Sequence, residues 1–183
     1  MTIFFTVFLI VLAAEMGDKT QLLTITLAAR YRPAHVFTGI FIATLINHGF
    51  AVIVGKLIST VVPLDTIRIA AGLSFILFGL LALGTERQNT SSSLSKYGAV
   101  LTTTTAFFAA ELGDKTQLAV VSFAAVNHPL LVLSASLPAM MVASSLSIFL
   151  GNILGHRIPE SVFKYISAAV FSFFGLFMLW SVF

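Results

Sequence analysis

Six apolar runs, each long enough to cross a lipid bilayer, constrain this chain more than any other feature. They fall at residues 2–29, 36–61, 66–84, 98–126, 130–154 and 162–183, and a spanning helix needs about 17–25 residues. The breaks between them carry turn-forming or charged residues: Arg30-Tyr31-Arg32-Pro33, Pro63-Leu64-Asp65, a polar stretch from Thr85 to Tyr97, His128-Pro129, and Arg157-Ile158-Pro159-Glu160. Strands are a poor alternative, because no segment alternates polar and apolar residues at period two over the short lengths a barrel requires. Only 9% of the residues are charged, against roughly 25% in a soluble domain. Cysteine is absent, so there is neither a disulfide framework nor a thiolate metal site. The formal charge of +3 is scattered over loops without a basic block, which argues against nucleic acid as a partner. The first run lacks a basic leader and holds a charged cluster that recurs later, so residues 1–29 are expected to be mature protein.

The sequence aligns with itself without gaps at an offset of 96, the separation of Glu15 and Glu111. Glu15-Met16-Gly17-Asp18-Lys19-Thr20-Gln21-Leu22 falls on Glu111-Leu112-Gly113-Asp114-Lys115-Thr116-Gln117-Leu118. The same offset pairs Pro33 with Pro129, Gly55 with Gly151, Pro63 with Pro159 and Phe78-Gly79 with Phe174-Gly175. Residues 1–84 and 98–183 therefore read as two copies of one three-helix unit, joined by a polar linker at 85–97. An odd number of crossings per copy makes the copies inverted in the membrane. The expected fold is an all-α integral membrane protein of six transmembrane helices in two inverted repeats. Secondary transporters with this architecture carry their site at mid-bilayer, between the repeats. Lys and Arg counts orient the chain: Arg30, Arg32, Arg87, Lys96, Arg157 and Lys164 lie on one side, Lys56 and Arg68 on the other. The positive-inside rule puts the richer side in the cytoplasm and both termini outside. The sequon Asn89-Thr90-Ser91 then lies in the cytoplasm and is expected to carry no glycan.

Both clusters sit near the middle of their runs. A charge there costs at least about 2.5–3.5 kcal/mol, and ionisable residues at that depth usually pair, line a cavity or mark an ion path. At about 100° per helical residue, Asp18 lies about 60° from Glu15 on one side and Lys19 about 40° on the other, so the carboxylates share a face. Glu15 is then within reach of Lys19 at i,i+4, and Gln21 extends the face beyond Asp18. Thr20 points elsewhere unless the helix opens at Gly17, where the missing side chain permits it. Opening would free backbone carbonyls for coordination. The same geometry is expected around Gly113, with Lys115, Thr116 and Gln117. Carboxylate, amide and carbonyl oxygens form a hard ligand set suited to Ca²⁺, Mn²⁺ or Mg²⁺ rather than Zn²⁺ or Cu⁺. Glu15, Asp18, Glu111 and Asp114 contribute −4 and Lys19 and Lys115 +2; the remaining −2 is balanced by one divalent ion or two protons, the arithmetic of an exchanger. The competing view, salt bridges that glue helices together, is disfavoured because buried ion pairs are a costly route to stability.

Two copies of E-x-G-D-(K/R)-(T/S) in a small inverted-repeat membrane protein resemble the cation/proton exchanger family that includes bacterial manganese exporters and Golgi manganese and calcium transporters. The resemblance covers both halves. It implies that Glu15, Asp18, Glu111 and Asp114 bind the cation and exchange it for protons; Gln21 and Gln117, which continue the same faces, are expected to be further ligands. It also implies a bacterial inner-membrane exporter of Mn²⁺, or of Ca²⁺, with no prosthetic group and no enzymatic activity. Residues alone leave open an exporter of a cationic amino acid, a cation channel or uniporter, and a non-transporting assembly or intramembrane enzyme, the last weakest because no nucleophile stands beside a base. Outside the motifs, Gly39, Ala43 and Asn47 are matched at the same offset by Ala135, Ala139 and Ala143, small residues that permit close helix packing. Asn47 and His48 sit mid-span opposite Ala143 and Ser144. For His48 a packing role and a proton-relay or ligand role both stand. Trp180 fits an interfacial anchor.

Overall fold

The computed structural model describes residues 2–16, 18–82 and 98–153 and, in the final segment, residues 165, 168–169, 172–173, 175–177 and 179–180. Every regular element among them is helical: α1 (Thr2–Glu15), α2 (Lys19–Arg30), α3 (Pro33–Val61), α4 (Leu64–Ala82), α5 (Ala99–Glu111), α6 (Lys115–Val126) and α7 (Pro129–Ile153). The linker expected at 85–97, its sequon and most of the final run lie outside the described residues. Two of the described helices are long and apolar enough to cross a membrane, Pro33–Val61 and Pro129–Phe149; Thr2–Glu15 and Lys115–Val126 are apolar but shorter. The expected single helices at 2–29 and 98–126 are each two helices, interrupted at the motif.

Helix boundaries follow local chemistry. Pro33 and Pro129 open α3 and α7, where a missing N–H costs nothing. Val62 closes α3 in an extended conformation, its N–H donating to the Ile58 carbonyl at 3.0 Å, as befits the residue before Pro63. Hydroxyls on these apolar helices are satisfied internally: Thr6, Thr38, Ser74, Thr105, Ser122 and Ser145 each donate to the carbonyl four residues back. Such bonding removes the need for water. Pro138 lies inside α7 and removes one bond of its ladder.

Exposed and buried residues are arranged as lipid requires. Phe5, Leu9, Phe50, Ile53, Leu57 and Phe149 face outward, while Glu15, Asp18, Asn47, His48, Glu111, Asp114 and Gln117 are buried. The apolar interior divides into two clusters. One joins Val7, Ile10, Val11 and Ala14 of α1, Ala51 and Val52 of α3, Phe75 of α4, Ala119, Val120, Phe123 and Ala124 of α6, and Val132, Ala135 and Ala139 of α7. The other joins Leu27 of α2, Val36, Ile40 and Ala43 of α3, Phe107 of α5 and Met140 of α7. Between them, in chain order, come Glu15–Thr20, Thr44–His48 and Glu111–Gln117. A polar layer is thus held between two apolar ones. Helix α3 runs from the second cluster to the first and α7 from the first to the second, so the two are antiparallel.

Packing is reciprocal: α3 lies along α5 and α6, and α7 along α1 and α2. Small residues set these distances. A Cβ on Gly39 would stand 2.6 Å from the Thr103 Cβ, and the Thr104 hydroxyl donates to the Gly39 carbonyl at 3.2 Å. Gly55 lies against the Val121 carbonyl and the Ala124 methyl group. Gly72 of α4 and Gly175 of the final segment meet backbone to backbone, a Cβ on Gly175 coming 2.7 Å from the Gly72 carbonyl. Ala43, Asn47, Ala135, Ala139 and Ala143 of the expected small-residue rows are all buried.

Candidate cation site

Both motifs break their helix in the same way. The Asp18 N–H donates to the Glu15 carbonyl at 3.3 Å and the Asp114 N–H to the Glu111 carbonyl at 3.1 Å, replacing the helical ladder by a tighter turn. At the second break Gly113 takes φ 74°, a left-handed conformation that favours glycine. Its N–H donates to the Gln117 side-chain oxygen at 2.7 Å. Asp114 then caps α6, accepting from the Thr116 N–H at 3.4 Å. Gly17, its counterpart, lies outside the described residues. Each break ends one helix and starts the next, so both signs of backbone dipole meet in the polar layer.

The breaks bring three carboxylates together from opposite halves of the chain. One oxygen each from Glu15, Asp18 and Asp114 lie within 4.8 Å of one another, and all three residues are buried. Glu15 accepts two hydroxyl bonds, from Thr20 at 2.9 Å and from Thr116 at 2.5 Å. The second of these spans 101 positions of sequence. The Lys115 ammonium pairs with Asp18 at 3.3 Å, again from one half to the other. Asn47 donates to the Phe108 carbonyl at 3.3 Å, docking α3 on the last turn of α5 just ahead of Glu111.

Several expectations change with this geometry. Glu111 is buried, 1% exposed, but is not among the three carboxylates that converge. The expected i,i+4 pair between Glu15 and Lys19 has no continuous helix to support it, because α1 ends at Glu15 and α2 starts at Lys19; the Lys19 side chain is outside the described residues. Lys115, expected to pair with Glu111, pairs with Asp18. Thr20 and Thr116 do join the site, through the opening considered at the glycines. Gln117 is buried with its oxygen engaged by Gly113, and Gln21 is half-buried. A single helix wheel could not reveal the cross-half contacts; the duplication was the signal that the halves meet.

Comparison with known proteins decides the family. The family model described as "Divalent cation/proton antiporter GDT1" matches residues 3–90 and 99–183, nearly the whole chain. The chain belongs to the GDT1 family. It is 32% identical over 161 residues to the "Putative manganese exporter" of Vibrio cholerae, covering 86% of this chain and 80% of that one. It is 36% identical over 75 residues to the "Divalent cation/proton antiporter GDT1" of Saccharomyces cerevisiae, 41% of this chain and 27% of the yeast protein. It is also 29% identical to "Protein PAM71, chloroplastic" of Arabidopsis thaliana over 93% of this chain, though it spans only 55% of that relative. No solved structure matches. Each matched segment of this GDT1-family chain contains one motif, and the family is one of transporters, with a divalent cation and protons as the transported species.

Proposed function

We propose that this chain exports Mn²⁺, and secondarily Ca²⁺, from the cytoplasm in exchange for protons, with Glu15, Asp18, Glu111 and Asp114 as the carboxylates that carry the ion. The observation that carries this reading is the meeting of Glu15, Asp18 and Asp114 from two separate helix breaks. Three acidic groups beside one described ammonium leave a net negative, oxygen-lined layer suited to a hard cation. Such groups must give up protons before a metal binds, which couples the two species. Gln21 and Gln117 stand next to the breaks as further oxygen donors, and Lys19 and Lys115 offset part of the charge. The setting of this reading is a bacterial inner membrane with both termini outside; the excess of Lys and Arg on one side of the chain supports the orientation.

Two inverted repeats, 1–84 and 98–183, joined at 85–97, supply the frame for this exchange. The antiparallel course of α3 and α7, and the sharing of one apolar cluster by α1 with α6 and the other by α2 with α5, support inversion. Reporter tags at Met1, Pro63 and Phe183 are expected outside and a tag at Ser92 inside. Tags at 63 and 92 on one side would rule the inversion out.

The decisive experiment reconstitutes the purified protein in liposomes and follows internal cation and internal pH together. Mn²⁺ moving one way is expected to drive H⁺ the other way, and an imposed pH gradient to move Mn²⁺ uphill. Flux that ignores the gradient and moves no protons would leave a channel or uniporter. Movement of lysine or arginine in place of the metals would favour an amino-acid exporter. In competition Mn²⁺ is expected to win over Ca²⁺, and Mg²⁺ to be weakest because it sheds water reluctantly.

A further inference from the structure

One buried pair in the polar layer takes no part in the carboxylate cluster. Thr44 and His48 stand one turn apart on α3, so their side chains share a face; they are 0% and 1% exposed. Neither the Thr44 hydroxyl oxygen nor either imidazole nitrogen has a hydrogen-bond partner among the described residues. Buried polar atoms nearly always find partners, and three unmet ones on adjacent turns point to a ligand that supplies them. Their height in the fold is fixed from both sides. Ile40 and Ala43 belong to the α2/α5 cluster and Ala51 to the α1/α6 cluster. Asn47, next to His48, is bonded to the last turn of α5. His48 is therefore level with both helix breaks. The pair has no chemical counterpart in the other half, where the offset of 96 leads to Met140 and Ser144.

We propose that His48, with Thr44, is a second coordination point for the transported cation, one that admits Mn²⁺ and related transition ions and discriminates against Ca²⁺. The proposal rests on the transport reading above and adds to it a source of selectivity. Carboxylate, amide and hydroxyl oxygens serve Mn²⁺ and Ca²⁺ alike. Imidazole does not, because Ca²⁺ takes an all-oxygen shell whereas a neutral ring nitrogen is a ligand for transition ions. A Mn²⁺ ion leaving the carboxylates gains a nitrogen at His48, with the Thr44 oxygen one turn away to hold a water of its shell. A Ca²⁺ ion gains nothing there and gives up water.

The test compares wild type with His48→Gln in liposomes, measuring the half-maximal concentration for Mn²⁺ uptake and for Ca²⁺ as substrate or competitor. The substitution is expected to raise the Mn²⁺ value by about 10- to 100-fold, the range typical when a metal loses a supporting residue, and to leave the Ca²⁺ value unchanged. Pulsed electron paramagnetic resonance of Mn²⁺ bound to wild-type protein in detergent is expected to show nitrogen hyperfine coupling, lost in His48→Gln. A wild-type spectrum without that coupling overturns the proposal even if the variant fails to fold. Equal losses for both ions, or none for Mn²⁺, overturn it as well. Wild type that moves Mn²⁺, is stopped by Glu15→Gln and is indifferent to His48→Gln sinks this proposal alone; wild type that moves neither ion takes the transport reading down with it.

Discussion

Glu15→Gln is expected to abolish Mn²⁺ transport while the protein still inserts and elutes as a single species. Thr20 and Thr116 donate to different oxygens of Glu15, at 2.9 Å and 2.5 Å; glutamine keeps one of these acceptors and puts an amide NH2 in place of the other, which can donate to the remaining hydroxyl oxygen, so the side chain stays tethered. What disappears is the charge that attracts a divalent ion and the group that can trade it for a proton. Glu111→Gln is expected to give the same loss, although Glu111 stands outside the converging triad, because the exchange proposed above needs four carboxylates. Flux in liposomes and the elution profile together decide the outcome. A fully active variant at either position would reduce that carboxylate to a structural part.

Gly55→Ala is expected to destabilise the protein strongly and Gly49→Ala not at all. Both glycines lie on α3, but an added Cβ at Gly55 runs into the Val121 carbonyl, with Ala124 Cβ at 2.9 Å and the Ala125 nitrogen at 3.1 Å, whereas at Gly49 nothing lies within 4 Å. Backbone atoms cannot rotate away as a side chain can, so α3 must lift from α6. Overpacking of this kind costs about 1–3 kcal/mol, occasionally more. At Gly49 alanine has only its helix propensity to contribute, a gain of up to about 1 kcal/mol. Thermal unfolding in detergent measures both. Similar behaviour of the two variants would show that the α3–α6 contact is looser than the backbone spacing implies.

Much of this arrangement was legible in the sequence because the duplication constrained it. Residues 15–22 and 111–118 agree at seven of eight positions, which made two equivalent sites expected, and Gly17 and Gly113 marked where the single helices expected at 2–29 and 98–126 could open. Hard oxygen ligands in a lipid-soluble chain pointed to cation transport, and the family comparison agrees. The rest needed three dimensions. Lys115 chose Asp18 over its own Glu111, and Thr116 chose Glu15, because the halves approach across the layer; periodicity describes one helix at a time and is blind to the partner. The Gln117 side-chain oxygen also closes the turn at Gly113, a backbone demand that appears only once φ at that glycine is known. Asn47 and His48 are neighbours in sequence, yet one ties α3 to α5 and the other reaches no partner among the described residues, a distinction set by about 100° of helix rotation.

The two threonine hydroxyls carry a consequence of their own. Each has a single proton to give, and both protons are spent on Glu15. By sequence Glu111 has an equal claim on Thr116, its neighbour five residues on, and on Thr20 across the layer. A donor committed to one carboxylate is withheld from the other, so these two hydroxyls serve the two motifs unequally in this conformation. The duplicated sequence treats its two glutamates as equals, and two protons for four claims prevent the structure from doing the same.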